Sequence, residues 1–174
     1  MWGGGIGGFS NFLMRRGYYS TCLVPDESLI IYGKEKFPAV TFLQGSAELF
    51  TTHKKFDGAV MIESFQYFSD RKRALDNVVK YLNNKSFILM IEELNVSLSS
   101  TVLPREEVIV FLLTEHKFRL KEIIDLTKNI LPICAIVAEL VQPYSLKFSQ
   151  QWIRKEREYK EGKMKYKLLL FERE

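Results

Sequence analysis

Phe87-Ile88-Leu89-Met90-Ile91 places five apolar residues in a row with no polar break. A strand wet on one face alternates apolar and polar residues, so an unbroken run predicts a strand covered on both faces. Gly58-Ala59-Val60-Met61-Ile62 reads the same way. Between the two runs, Ala74, Leu75, Val78, Val79 and Leu82 recur at three and four behind Ser69-Asp70, which predicts a capped helix over 71–82. Apolar strand, helix, apolar strand is the pattern of a parallel sheet with helices on both faces, a doubly wound α/β fold.

The remaining segments extend that alternation. Residues 9–16 predict a short helix closed by Gly17, where a left-handed cap suits glycine. Tyr19 to Val24 is a strand of aromatic, Thr and β-branched type. Asp26 or Ser28 caps a helix to Lys36, and Phe37-Pro38 ends it, because the residue before proline avoids the α region. A strand at 40–43 follows. Asn83-Asn84 turns the chain into the strand at 87–91, and Glu92-Glu93 reads as its solvated end. After a loop at 95–103, Pro104 opens the first turn of a helix carrying Val108, Ile109, Phe111, Leu112 and Leu113. Residues 120–124 predict a strand, 131–140 an apolar helix and 145–159 a long amphipathic helix. Gly162 breaks the last, and a final strand at 164–171 is expected to pair with 120–124 across the intervening helices.

Composition narrows the class. A chain of 174 residues suits a single domain over 1–174 with a core of its own. No run approaches ~18 uninterrupted apolar residues, so no transmembrane helix is expected. The first residues lack the charged and apolar regions of a secretory signal. Net charge is 25 − 21 = +4. From Lys147 to Lys167 eight basic residues face three acidic ones, so that stretch alone carries 8 − 3 = +5. Its signs alternate, which marks a solvated helix face rather than a nucleic-acid site. Neither a nucleic-acid nor a membrane partner is expected. Cys22 and Cys134 lie in apolar surroundings and read as buried free thiols in a reducing, cytoplasmic setting. His53 and His116 are isolated, with no metal-ligand spacing.

Gly3-Gly4-Gly5-Ile6-Gly7-Gly8 directly precedes the first helix. Such a run serves either as a flexible tail or as a turn that lets backbone N–H groups approach a ligand. A strand and then Asp26 follow, 19 residues after Gly7. That is about the spacing at which a carboxylate meets a ribose hydroxyl in nucleotide-type sites, and a helix-capping role is compatible with it.

The ordered set of segments resembles the class I S-adenosylmethionine-dependent methyltransferases of small-molecule type. Trp2-Gly3-Gly4-Gly5-Ile6-Gly7-Gly8 resembles the family's glycine motif, and Val24-Pro25-Asp26-Glu27-Ser28 its ribose-binding segment. Phe42-Leu43-Gln44-Gly45-Ser46-Ala47-Glu48 resembles the stretch flanking the adenine. Residues 56–68, Phe56 to Phe68, resemble the strand and loop that face the methyl group. Ala74 to Leu82, Phe118 to Thr127 and Met164-Lys165-Tyr166 resemble later elements, so the likeness runs nearly the whole chain.

The resemblance implies a Rossmann-like, mostly parallel sheet with an antiparallel last strand. It implies S-adenosylmethionine as cofactor, S-adenosylhomocysteine as product, and O- or N-methylation of a small metabolite or natural product. Gly3, Gly5, Gly7, Asp26, Ser46, Ala47 and Ile62 would bind the cofactor. Glu63 and Tyr67 are the catalytic candidates. Phe65, Gln66 and Phe68 would contact the acceptor, whose pocket reads as partly hydrophobic.

The chain departs from the family's pattern in three places. Only Met1 and Trp2 precede the glycines, so the family's central first strand is missing from this chain. Its absence from a sheet of order 3-2-1-4-5-7-6 would open a gap of roughly 9–10 Å. Upstream residues, another polypeptide or an unusual repair of the sheet would close it, so a protein partner supplying the strand is one expectation. Ser46 stands where the family usually has an acid. Gln66-Tyr67 replaces a His-His pair, removing the imidazole that commonly serves as base near neutral pH. These departures leave a second reading open: a degenerate methyltransferase-like subunit that completes or regulates a partner chain.

Overall fold

The computed structural model describes residues 4–96 and 103–174. The glycine turn leads into α1 (Gly8–Met14), then β1 (Thr21–Val24), α2 (Glu27–Lys36), β2 (Thr41–Gln44) and β3 (Phe56–Ile62). A 3-10 turn at Phe65–Tyr67 precedes α3 (Arg71–Lys80) and β4 (Leu82–Asn95). The chain ends with α4 (Glu106–Thr114), β5 (Phe118–Asp125), α5 (Thr127–Val141), α6 (Leu146–Lys160) and β6 (Met164–Arg173).

The strands form two groups, β1-β2 and β3-β4-β6-β5. The β1–β2 and β3–β4 pairs are parallel, and β6 is antiparallel to both β4 and β5. The expected pairing of the last strand with 120–124 is therefore present, within the longer β5, with Leu120 opposite Phe171. The break among the described residues falls between β1 and β3, where the resemblance puts the family's first strand. Side chains span it: Leu23 of β1 packs in the same core as Ala59 and Met61 of β3.

Residue alternation explains the layers. On β4, Ile88, Met90 and Leu94 face the α3–α4 side and pack with Leu75, Val78, Ile109 and Leu113. Each fully buried side chain of this size contributes about 1.5–3 kcal/mol. Gly58 makes room for the Phe87 ring, which would lie 2.3 Å from a Cβ placed there. A smaller cluster on the other face joins Cys22 and Val24 to Ile30 and Val40, with Met14, Phe37 and Phe42 against it. A third, under α5 and α6, joins Ile130, Cys134, Tyr159 and Met164, with Trp152 and Tyr166 packed on it. Trp152 thus anchors the basic helix to the body of the protein. Cys22 and Cys134 are buried and unbridged, and burial raises both thiol pKa values.

The caps match the sequence. Asp26, Asp70 and Ser145 accept from the backbone N–H of Ser28, Arg73 and Phe148. Gly17 and Gly162 take left-handed φ of 86° and 72° after α1 and α6. Two expectations need correction. Pro104 does not open the first turn of α4; it precedes the cap residue Arg105, and its carbonyl accepts from Asn95 N–H at 3.0 Å. The strand expected at 87–91 begins at Leu82 and continues to Asn95, because β6 pairs alongside it through Asn95↔Met164. Most of the loop expected at 95–103 lies outside the described residues. No helix among the described residues is long and apolar enough to cross a membrane.

Candidate functional site

The glycine turn folds back on α2 and β2. Gly7 N–H donates to the Gly4 carbonyl at 2.9 Å, and the Gly7 carbonyl accepts from Asn11 at 2.9 Å, the first bond of α1. Gly7 has φ +89°, and a Cβ there would lie 2.7 Å from the Phe42 ring. Its glycine character is therefore explained by packing and backbone. Gly5 differs: its φ is +51° and, among the described residues, nothing lies within 4 Å of a Cβ placed on it. Open space beside a left-handed glycine is what a closely approaching ligand needs. Gly3 lies outside the described residues.

Asp26 stands just past the end of β1, exposed, with Oδ1 accepting from Ser28 N–H at 2.8 Å and Ser28 Oγ at 2.7 Å. These bonds hold its carboxyl below the usual range. The cap is real, and the carboxylate still faces solvent. Beyond β2, Gly45 N–H donates to Val24 carbonyl at 3.1 Å, joining the two strand ends. Ser46 is partly exposed, whereas the Ala47 methyl is buried in the main core. Asn77 fixes this loop by donating to the Ala47 and Phe50 carbonyls at 3.0 and 2.9 Å. Glu48 reaches across to accept from Ser69 N–H at 2.9 Å, tying the loop to the segment after β3.

The end of β3 is the most elaborated part of the molecule. Ile62, half-buried, closes the strand. Glu63 has φ +47°, a left-handed conformation uncommon for a residue with a side chain. Two contacts hold this corner. Glu63 N–H donates to the Ile91 carbonyl at 2.8 Å. Glu92 Oε1 accepts from both Ser64 and Phe65 N–H at 3.1 Å. Glu92 is 0% exposed and Glu93 4% exposed, so neither is the solvated strand end expected from sequence. They lie inside β4, opposite Lys167 and Tyr166 of β6. Burial pushes the Glu92 carboxyl up to about 7 against the two backbone donors, and the charges of Glu63 and Glu93 add to the rise. Among the described residues, its Oε2 and the Ser64 hydroxyl are buried without a hydrogen-bond partner.

The corner divides the aromatic segment. Phe65 is 0% exposed in the core, stacked edge-to-face on Phe68 at 5.6 Å between centroids. The expectation that Phe65 contacts the acceptor therefore meets a ring packed on the wrong side of the backbone, since the 3-10 turn aims it inward. Phe68 packs against the same core and Gln66 is half-buried, while Tyr67 is 78% exposed.

Beside Glu63 opens a cavity of about 380 Å³, lined among others by Tyr67, Glu93, Phe148, Trp152 and Lys155. Its carboxylates are held from below. Tyr166 donates to Glu63 Oε1 at 2.9 Å, and Tyr159 to Glu93 Oε1 at 2.6 Å. Lys155 Nζ lies 2.5 Å from the same Glu93 oxygen and 4.7 Å from the Trp152 ring centre. Burial, followed by the neighbouring carboxylate charge, raises both tyrosine pKa values, which keeps the hydroxyls protonated donors. Phe65, Gln66 and Phe68 are not among its lining residues. Among the described residues, no group of three His, Cys, Asp or Glu side chains is placed to hold a metal ion.

Residues 1–90, just over half of the 174, match the sequence family described as a methyltransferase domain. The chain belongs to that family. No protein with a curated description matches by sequence. This methyltransferase domain is similar in structure to the O-methyltransferase of a trans-AT PKS multienzyme of Brevibacillus brevis, solved with S-adenosyl-L-homocysteine. The TM-score is 0.80 at 16% identity, over 99% of this chain and 65% of that one, so the chain spans less than two thirds of that relative. It is similar to the geranyl diphosphate C-methyltransferase of Streptomyces coelicolor A3(2), with TM-score 0.82 and 15% identity over 99% of this chain and 69% of that one. A phosphoethanolamine N-methyltransferase of Haemonchus contortus gives TM-score 0.81 and 14% identity over 98% of this chain and 47% of that one. The named activities differ in the atom methylated, so the shared fold does not choose the acceptor of this methyltransferase domain.

Sequence reading singled out Glu92-Glu93 but not their burial, and it missed Lys155, Tyr159 and the role of Tyr166. A signal for Glu92 was present. Ser86, Ile88, Met90, Glu92 and Leu94 alternate at two, so continuing the strand places Glu92 on the apolar face.

Proposed function

We propose that this chain, as a single domain, transfers a methyl group from S-adenosylmethionine to a small-molecule acceptor in a reducing, cytoplasmic setting. One observation carries the reading: the family match over residues 1–90 takes in every candidate cofactor residue, from the glycine turn to Ile62. The residues fit the cofactor. Gly5 leaves open the space a Cβ would fill, and Asp26 offers an exposed carboxylate kept ionised by Ser28. When bound, the cofactor supplies an electrophilic methyl on a sulfonium.

The chain's own work is positioning. Gly5 and Gly7 let the turn pass beneath the ligand, Asp26 accepts from ribose hydroxyls, and Ser46 with the Ala47 backbone edges the adenine. Glu63 and Tyr67 meet the acceptor at the mouth of the cavity, and O- or N-methylation is the finer reading. Glu92 keeps the Glu63 corner in place through two backbone bonds. A second reading, a subunit that works with another polypeptide, draws support from the break between β1 and β3 among the described residues.

The test is calorimetric titration of the chain with S-adenosylhomocysteine. Saturable binding is expected, weakened at least about tenfold in Asp26→Ala, as for loss of a charge-assisted hydrogen bond. A folded chain that binds neither S-adenosylhomocysteine nor S-adenosylmethionine overturns the proposal.

A further inference from the structure

We infer that the cavity beside Glu63 takes a basic amine, whose nitrogen sits against the Glu63 carboxylate and is the atom methylated. This names the acceptor class of the methyl transfer proposed above and rests on that reading. Three observations carry it. First, the carboxylates at this end of the sheet outnumber the cations available to them. Glu63 and Glu93 line the cavity and their charges both act on the buried Glu92 behind it, and Lys155 is committed to Glu93. Among the described residues, the side-chain partner of Glu63 is the neutral Tyr166 hydroxyl. Arg154 and Glu158, one helical turn apart on α6, bring opposite charges to the same lining and offset one another. A ligand cation supplies the missing charge.

Second, the walls suit an ammonium group. Trp152, Tyr67 and Phe148 line the cavity with the carboxylates, and the Trp152 face already holds one ammonium, that of Lys155 at 4.7 Å. Indole faces attract cations, and quaternary or alkylated ammonium groups fit aromatic cages.

Third, the charge flow of the reaction favours nitrogen here. The bound ammonium first gives up a proton to water at the cavity mouth; the amine lone pair so freed forms the new C–N bond while the S–CH3 bond breaks, its electron pair passing to sulfur to give the neutral thioether. Positive charge leaves sulfur and appears on nitrogen, beside Glu63. A fixed carboxylate there stabilises the transition state more than the ground state. If the nitrogen carries a hydrogen, that proton leaves afterwards to water at the cavity mouth. An alcohol or phenol acceptor instead develops negative charge before or during transfer. Next to Glu63 and Glu93 that charge is penalised.

The experiment separates this inference from the reading it rests on. The probes are choline and its uncharged isostere 3,3-dimethylbutan-1-ol, titrated by NMR against the full chain with and without S-adenosylhomocysteine. Choline is expected to bind at least about tenfold more tightly than the alcohol, the size of one carboxylate contact plus a cation–π contact. Glu63→Gln keeps the oxygen that accepts from Tyr166 and is expected to abolish the preference. Trp152→Leu is expected to reduce it, with folding of both variants checked by circular dichroism. Equal binding of the two probes to the wild-type chain overturns the inference, as does a preference that survives Glu63→Gln. If S-adenosylhomocysteine fails to bind while choline is still preferred, the methyl-transfer reading falls and the cation site stands. If S-adenosylhomocysteine binds and the preference is absent, only the amine inference falls.

Discussion

The two groups of strands divide the labour of the domain unequally. The β3-β4-β6-β5 group carries the main core, with Ile88, Met90, Leu169 and Phe171 wholly buried on its strands. The β1-β2 group is short, four residues to a strand, and rests on the small cluster of Cys22, Val24, Ile30 and Val40. Yet the candidate cofactor residues up to Ser46 belong to the small group, Ala47 packs in the main core, and the carboxylate cavity belongs to the large group. The stable half holds buried charge that only a well-packed sheet can tolerate. The thin half presents glycine and exposed polar groups, which cost little to keep and leave room for a ligand.

Phe171→Ala is the harshest way to probe that contrast. The ring lies between β4 and β5, opposite Ile88 and Leu120. Its loss is expected to lower unfolding free energy by about 3–5 kcal/mol in denaturant titration, a large share of the stability of an ordinary domain. Native-state hydrogen exchange adds the complementary view. Amides of β1 and β2, such as Leu23 and Leu43, are expected to exchange through an opening smaller than global unfolding, while those of Met90 and Leu169 exchange only globally. If β1 and β2 amides exchange only globally, the two groups form one cooperative unit and the contrast fails.

Glu92 tests the buried charge itself. Its carboxyl rises from an ordinary 4.5 to about 7 in the folded chain. The folded state therefore holds its proton more tightly than the unfolded state. The stabilisation is fully present below about pH 4.5 and is lost as pH rises to about 7, a difference of about 3 kcal/mol. Glu92→Gln mimics the protonated form and keeps an oxygen for Ser64 and Phe65. It is expected to flatten that part of the stability–pH curve, matching the wild type near pH 4.5 and exceeding it at pH 8. Parallel curves for the two proteins would show that Glu92 does not titrate in this range.

Much of this was legible from the chain alone. Helices α2 and α3 follow from caps and periodicity, because Asp26 and Asp70 carry local signals that tertiary packing reinforces, whereas α4 starts past Pro104 and α5 starts at Thr127, ahead of the expected 131. The break between β1 and β3 follows from counting strands against the family's pattern. The candidate cofactor positions are local too, since glycine turns and strand-end acids are sequential motifs. The cavity was not legible. Glu63, Glu93, Trp152, Tyr159 and Tyr166 come from the corner after β3, from β4, from α6 and from β6, and the antiparallel insertion of β6 beside β4 brings them together. Phe65 and Tyr67 show the same limit at short range: two aromatics two residues apart point to core and solvent because a 3-10 turn, not a strand, carries them.

The smallest effects separate the two tyrosine supports of the cavity. Tyr159 is buried and donates to Glu93, which also holds Lys155, whereas Tyr166 is half-buried and donates to Glu63. Tyr159→Phe leaves a buried carboxylate one donor short, so about 2 kcal/mol of stability is expected to be lost. Tyr166→Phe exposes its acceptor to the cavity, where water replaces the hydroxyl, so the loss is expected near 1 kcal/mol or below. The order matters more than either value. A larger loss for Tyr166→Phe would mean that Glu63, left-handed and without a cation of its own among the described residues, depends on that hydroxyl to keep its corner of the sheet, and that the strained turn rather than buried Glu93 is the costlier charge to hold.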